Sequence, residues 1–204
     1  GKRTYCSSKG RIIIAEDAFE LAERAIAGAL EPAVEMVSSL TGDSSAELIC
    51  ETSLDELRGH QWRLQNREGW ESARGWLDRV NPRLKFDVAE RYAAASRITG
   101  AEIEAAGSVR ADFIERMEPV LSGGAAVCLP TTAAPVGESL SARAALRSRN
   151  SSLTCVAGML GAPQINLPLA EVDGLPVGLS LLGARGSDEM LIAFAREIEA
   201  SLKS

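Results

Sequence analysis

Short apolar runs alternate along this chain with longer segments in which apolar residues recur every three or four positions, and this alternation constrains the fold most. Such runs predict buried strands, and the three-to-four spacing predicts helices with one apolar face. The predicted strands cover residues 11–15, 46–50, 125–129, 164–169 and 176–182. The predicted helices cover residues 16–30, 53–80, 87–98, 99–121, 144–160 and a last segment capped by Ser187. Strands alternating with helices indicate an α/β layer fold.

Several residues mark where these helices begin and end. Thr99 and Glu102 have the spacing of a capping box, and Asn81-Pro82 is a stop signal for the long helix before it. Pro32 is expected to break the first predicted helix or to begin the next one, because proline lacks the amide proton of a helix interior.

The chain is poor in the residues that carry common hydrolytic and metal chemistry. Its one histidine is His60, and its four cysteines, Cys6, Cys50, Cys128 and Cys155, lie far apart. Neither a Cys₂His₂ metal site nor a CxxC redox pair fits this spacing, and no metal or cofactor is expected. A histidine-based nucleophilic mechanism would depend on His60 alone, in a run that reads as exposed. The scattered cysteines favour reduced thiols and a cytoplasmic protein.

Charge and hydropathy narrow the expected partners. The 22 Lys and Arg against 28 Asp and Glu give a net charge of −6. Such a chain repels a phosphate backbone, so no nucleic-acid partner is expected. No run approaches the roughly 20 apolar residues of a membrane helix, and no secretory signal opens the chain, so no membrane partner is expected either.

Three local patterns invite a functional interpretation, but each has a simpler one. Ser7-Ser8-Lys9 could be a nucleophile pair, yet a polar tail gives the lysine no burial. The glycine-rich run 122–125 lies before a predicted strand, whereas a phosphate loop follows one. Trp62, Trp70 and Trp76 could form a ligand platform, but core or interface packing of an amphipathic helix explains them better. No GxSxG elbow, phosphate loop or GxGxxG motif is present.

The last third of the chain carries a set of motifs that are specific in combination. They are VCLPTTAAP (127–135), NSSLTCVAG (150–158), GAPQINLPL (161–169), GLPVGLSLL (174–182) and RGSDEML (185–191). Together they resemble the C-terminal half of the amidase signature family, which are serine hydrolases that cleave carboxamides. IAEDAF (14–19), with Arg91 and the run 97–99, extends the resemblance more loosely over nearly all the chain. The IAEDAF run and the Ser-Ser-Leu spacing resemble amidases of the indole-acetamide hydrolase type.

The resemblance implies part of a mixed central sheet covered by helices. In the family a catalytic lysine, a bridging serine and a nucleophilic serine lie in the N-terminal half. None of Lys2, Lys9, Lys85 and Lys203 has the required context, so no catalytic residue is carried over. Residues 1–204 are therefore expected to be the C-terminal portion of a single amidase-type domain, with the catalytic half outside this chain.

Candidate substrate-binding residues come from the two strongest motifs. Pro130 ends a predicted central strand, which places Thr131 and Thr132 beyond its carboxyl end, where open α/β sheets bind ligands. The other candidates, from the second motif, are Ser152, Thr154 and Cys155. Their simpler interpretation is structural, because Ser and Thr cap helices and a single Cys behaves as a small buried apolar residue.

The resulting functional hypothesis is the scaffold and cleft wall of an amide hydrolase that is not competent alone. The expected partners are a small-molecule amide substrate, the missing half or a companion chain, and a second copy in a homo-oligomer. The alternative is a non-catalytic binding or regulatory module that keeps half an amidase fold and covers its exposed sheet by oligomerising.

Overall fold

The computed structural model describes residues 10–135 and 140–203, with side chains from residue 144 onward in the second range. The strands in this part of the chain are β1 (Ile12–Ala15), β2 (Ser44–Glu47), β3 (Ala126–Pro130), β4 (Gln164–Val172) and β5 (Leu175–Leu182). The helices are α1 (Glu16–Leu21), α2 (Arg24–Thr41), α3 (Leu54–Val80), α4 (Phe86–Ser96), α5 (Gly100–Val120), α6 (Leu140–Leu160) and α7 (Asp188–Ser201). No helix within these ranges is long and apolar enough to cross a membrane.

The five strands form one mixed sheet in the order β2-β1-β3-β5-β4. β1 pairs in parallel with both β2 and β3. β5 is antiparallel to β3 and to β4, and the turn at Asp173-Gly174 joins β4 to β5. This arrangement confirms the predicted α/β fold with a mixed sheet.

Apolar residues cover both faces of the sheet, which explains why its central strands are almost wholly apolar. On β3, Val127 and Leu129 face the cluster formed with α3, α5 and α6. Ala126 and Cys128 face the opposite cluster, formed with α2 and α7. All five residues of β3 are buried, so the strand after which the candidate loop begins is held in the centre of the molecule.

Helix ends follow local sequence signals in several places. Thr99 forms the full capping box with Glu102 at the start of α5, and the Ser53 hydroxyl accepts from the Glu56 amide at the start of α3. Asn81 ends α3 in the left-handed conformation, as Gly42 ends α2. Ser187 differs from the prediction, since its hydroxyl donates to Ala184 O (2.7 Å) and does not cap α7.

Pro32 neither breaks a helix nor begins one, contrary to the prediction. It lies inside α2, and the break falls earlier, between α1 and α2. Pro32 and Gly28, whose carbonyl loses its helical partner, are both exposed. Water can therefore satisfy that carbonyl, which lowers the cost of proline at this position.

The second strand also differs from its prediction, because β2 covers residues 44–47 and not 46–50. β2 lies at the sheet edge, where polar residues face solvent and the strand has no apolar run. Ile49 and Cys50 are buried beyond its end, in the core cluster. Their apolar character therefore reflects burial of the following loop.

The three tryptophans lie along α3 but are not all packed. Trp70 packs against Tyr92 of α4, with ring centroids 6.4 Å apart and an interplanar angle of 54°. Trp62 and Trp76 remain 40% and 47% exposed, respectively. Core packing is therefore wrong for these two residues, and their role at an interface stays a prediction.

Candidate functional site

The candidate site lies at the carboxyl ends of the parallel strands. Because β1 and β3 run parallel, the residues after Ala15 and after Pro130 lie at the same end of the sheet. Asp17 follows β1 and Thr131 follows β3. Open α/β sheets bind ligands at the carboxyl ends of their strands.

Thr131 is held by residues from two other strands. Its amide donates to Gly178 O (2.9 Å), which continues the pairing of β3 with β5. Its Oγ1 lies 2.6 Å from Asn166 Oδ1 and 2.7 Å from Ser180 Oγ. Because β5 lies between β3 and β4, this hydroxyl connects strands that are not neighbours.

Gly178 makes this bridge across β5 possible. A Cβ atom at this position would lie 1.9 Å from Asn166 Oδ1 and 2.9 Å from Thr131 Oγ1. Both distances are shorter than any tolerable contact, so a side chain would displace the two polar groups. Ser180, the third member of the bridge, is fully buried, and its hydroxyl hydrogen-bonds the Thr131 hydroxyl.

Thr132 and the following peptide are held by α6. Asn150 Oδ1 accepts from the Ala133 amide (2.8 Å) and lies 3.2 Å from Thr132 Oγ1. The Thr132 hydroxyl is also 2.9 Å from Ala134 O, so its single proton has two acceptors. The two predicted threonines are therefore next to each other in the loop but are fixed by different elements.

The remaining predicted residues lie on α6, away from this loop. Ser152 is buried, with Oγ 3.3 Å from Asp55 Oδ1 at the start of α3. Cys155 is buried too, and its Sγ is 3.2 Å from Ser152 O. Thr154 is exposed and donates to Asn150 O (3.0 Å). Ser152 and Cys155 thus pack α6 against α3, and a substrate contact for these three residues stays a prediction.

Asp17 ties two of the strand ends together. Its carboxylate accepts from the Ala18 amide (3.0 Å) and from the Cys50 amide (2.9 Å), beyond the end of β2. Burial raises the pKa of Asp17, and these amide hydrogen bonds offset the increase only in part. This half-buried carboxyl group therefore links the end of β1 to the segment after β2.

The cysteines in the described ranges lack the surroundings of a reactive thiolate. Cys50, Cys128 and Cys155 are free and buried, and burial raises the pKa of Cys128 and of Cys155 to about 12. The thiols of Cys128 and Cys155 are therefore neutral near pH 7. Ser7, Ser8, Lys9, Lys2 and Cys6 lie outside the described residues.

The basic groups that the structure describes are similarly unsuited. Lys85 and Lys203 are exposed, and Lys203 pairs with Glu199 at 2.5 Å. His60 is half-buried on α3, rather than exposed as predicted, and its Nδ1 has no hydrogen-bond partner within residues 10–135 and 140–203. No cluster of three or more His, Cys, Asp or Glu in these ranges could hold a metal ion. Binding and orientation of a ligand by Thr131 and Thr132 therefore stays a prediction.

Four polar residues that support the loop were missed by the sequence analysis: Arg149, Asn150, Asn166 and Ser180. Ser180 carried a usable signal, because it is a single hydroxyl within a strand of buried apolar residues. Asn166 carried a weaker one, as an amide within the short predicted strand 164–169. Asn150 and Arg149 had no local signal, since their contacts depend on how α6 packs against the sheet.

Sequence relatives agree with the motif pattern. No protein-family model matches the chain. It is 29% identical over 154 residues to Amidase 1 from Arabidopsis thaliana. This match covers 74% of this chain and 36% of that protein. It is 24% identical over 151 residues to outer envelope protein 64, mitochondrial, from the same plant. This second match covers 72% of this chain and 24% of that protein. The chain spans about a third of the length of the first curated relatives that it matches.

Solved structures share the fold. The crystal structure of an amidase superposes with a TM-score of 0.78 at 22% identity, covering 95% of this chain and 46% of that one. A bacterial aryl acylamidase belonging to the amidase signature enzymes superposes with a TM-score of 0.74 at 16% identity, covering 95% and 45%. Almost all of this chain therefore corresponds to less than half of each neighbour.

Proposed function

Since this chain belongs to the amidase signature family, we propose that it is the C-terminal part of a serine-dependent amide hydrolase. It forms scaffold and one wall of the substrate cleft, and it is not competent alone. The observation that carries this proposal is the extent of the match to Amidase 1, which covers 74% of this chain but 36% of that protein. Residues 1–204 then belong to one domain whose N-terminal half supplies the reacting groups.

The proposed reaction converts a carboxamide to a carboxylate and ammonia. A serine hydroxyl adds to the amide carbonyl carbon, the C–N bond breaks, and the nitrogen leaves as ammonia with the serine proton. Water then hydrolyses the acyl ester and restores the serine. Within this chain, Thr131 and Thr132 have hydroxyls beside the strand end that can hydrogen-bond a substrate, while Ser152, Thr154 and Cys155 shape the helix behind them.

The test compares the 204-residue chain with the protein encoded by its whole reading frame. We expect ammonia release from small carboxamides by the longer protein and none by the chain alone. Replacing Thr131 and Thr132 by Val in the longer protein is expected to raise KM more than it lowers kcat. The Ser96→Ala change, at an exposed position at the end of α4, serves as the control. Hydrolysis by the isolated chain, or its absence from the longer protein, would overturn the proposal.

A second candidate is a non-catalytic binding or regulatory module. One of the relatives is named for an outer envelope and not for an amidase, which favours this alternative. It predicts that the longer protein binds a partner or a second copy and hydrolyses no amide. The cytoplasmic location stays part of the first proposal, and fractionation of cells that express the tagged full protein tests it against an envelope location.

A further inference from the structure

The peptide between Thr132 and Ala134 is held on both sides. Asn150 Oδ1 accepts from the Ala133 amide at 2.8 Å. The Ala133 carbonyl oxygen accepts from the Glu23 amide at 2.7 Å, at the start of α2. Ala133 itself is fully buried, so water cannot replace a bond that is lost at this position.

Arg149, the neighbour of Asn150 on α6, completes the attachment. Its Nη2 donates to Leu21 O (2.8 Å) at the end of α1 and lies 3.4 Å from Ala133 O. Its Nη1 pairs with Glu23 Oε1 at 3.1 Å. Two consecutive residues of α6 thus connect the loop after β3 to the junction of α1 and α2.

The orientation of the Asn150 amide follows from these contacts. The Ala133 amide can only donate, so the Asn150 atom that faces it must be the oxygen. This oxygen also lies 3.2 Å from Thr132 Oγ1. One side-chain atom therefore fixes both the backbone of the loop and the neighbourhood of the Thr132 hydroxyl.

We infer that Asn150, supported by Arg149, is a positioning residue of this site: it sets where the Thr132 hydroxyl lies relative to the substrate. The inference rests on the proposed function, because that function assigns the Thr132 hydroxyl to the cleft wall. Asn150 acts through the loop and makes no contact with the reacting atoms.

The first measurement is hydrogen exchange of the peptide that contains the Ala133 amide, in the full protein. Asn150→Leu removes the acceptor, and exchange of this amide is expected to become at least about tenfold faster. Asn150→Asp keeps an oxygen in place and should retain most of the protection. Ser151→Ala, on the same helix, is the control and should leave this exchange unchanged. Unchanged protection in Asn150→Leu would overturn the inference.

The second measurement separates positioning from general stabilisation. Asn150→Leu is expected to raise KM for a small carboxamide about tenfold, with kcat changed by less than about threefold, and Asn150→Asp should restore KM in large part. If the parent protein hydrolyses amides but KM is unchanged in Asn150→Leu, the inference fails and the proposed function stands. If the parent protein hydrolyses no amide, the proposed function fails and the inference fails with it.

Discussion

Gly178 is the residue at which one methyl group should have the largest effect on the candidate wall. In Gly178→Ala, the added Cβ would overlap Asn166 Oδ1 and Thr131 Oγ1. We expect the free energy of unfolding in urea to fall by about 1–3 kcal/mol, because the bridge must open or β5 must shift.

Gly107 offers a matched control for this substitution. It lies inside α5, and apart from its chain neighbours and the nearby backbone of its own helix, no atom lies within 4 Å of the position that a Cβ would occupy. Gly107→Ala is therefore expected to leave stability unchanged or to raise it by up to about 1 kcal/mol. Equal effects of the two substitutions would contradict the bridge across β5.

Asp17 predicts a pH dependence with a definite sign. Burial raises its pKa above the ordinary value of 3.8, so the unfolded chain loses this proton at lower pH than the folded protein does. Its contribution to stability is therefore fully present below that value and is lost as pH rises through the higher folded pKa. Measured from about pH 3 to pH 6, the stability of the wild type relative to Asp17→Asn should fall.

A matched substitution separates this effect from simple loss of charge. Asp43→Asn also removes one carboxyl group, at an exposed position after α2. The comparison of the two variants across the same pH range isolates the buried group. A relative stability of Asp17→Asn that is constant or changes in the opposite direction would show that burial does not dominate at Asp17.

At the residue scale, the sequence could predict the threonines but not what holds them. Pro130 ends β3, and this local signal places Thr131 and Thr132 beyond the strand. Asn150 lies 17 positions after Ala133, and its contact depends on the rotation of α6 against the sheet. No spacing rule encodes such a rotation, because it results from packing of the whole helix.

At the scale of elements, α3 extends beyond the core. Its 27 residues measure about 40 Å at the usual rise of a helix, and the buried residues Leu54 and Leu57 lie only in its first turns. Its second half packs with α4 and leaves Trp76 and Val80 exposed. The apolar spacing predicted the helix correctly, but it could not separate residues in the core from those along the extension.

Trp70 and Trp76, the two tryptophans in the second half of α3, should differ in their effect on stability. Trp70→Ala removes the contact with Tyr92 and is expected to lower the free energy of unfolding by about 1–2 kcal/mol. Trp76→Ala is expected to change it by less than about 0.5 kcal/mol, since Trp76 is 47% exposed. Chemical denaturation of the two variants decides this. An equal or larger loss for Trp76→Ala would indicate that this side chain is covered in the protein.

Two elements departed from their sequence signals for physical reasons. Pro32 is tolerated in α2 because the carbonyl that it leaves unpaired faces solvent. β2 contains polar residues because it is an edge strand, so its apolar signal came from the buried loop after it. Central strands and capped helices were easier to predict, since their burial and their end signals coincide.

At the scale of the whole molecule, the chain is a layered sheet with the candidate site at the carboxyl ends of its parallel strands. We assign no reacting centre among the described residues. Apolar clusters cover both faces of the sheet, and β2 and β4 leave two edge strands. Burial raises the pKa of the Cys128 and Cys155 thiols to about 12, and the described lysines are exposed. The role of this chain as scaffold and cleft wall is the proposal that these features motivate.

Mapping the reactive serine tests this central claim most directly. The protein encoded by the whole reading frame is treated with a fluorophosphonate probe, digested, and the modified residue is located by mass spectrometry. The account predicts one modified serine before Gly1 and none within residues 1–204. Modification of a serine inside this chain, or no modification of an active protein, would contradict it.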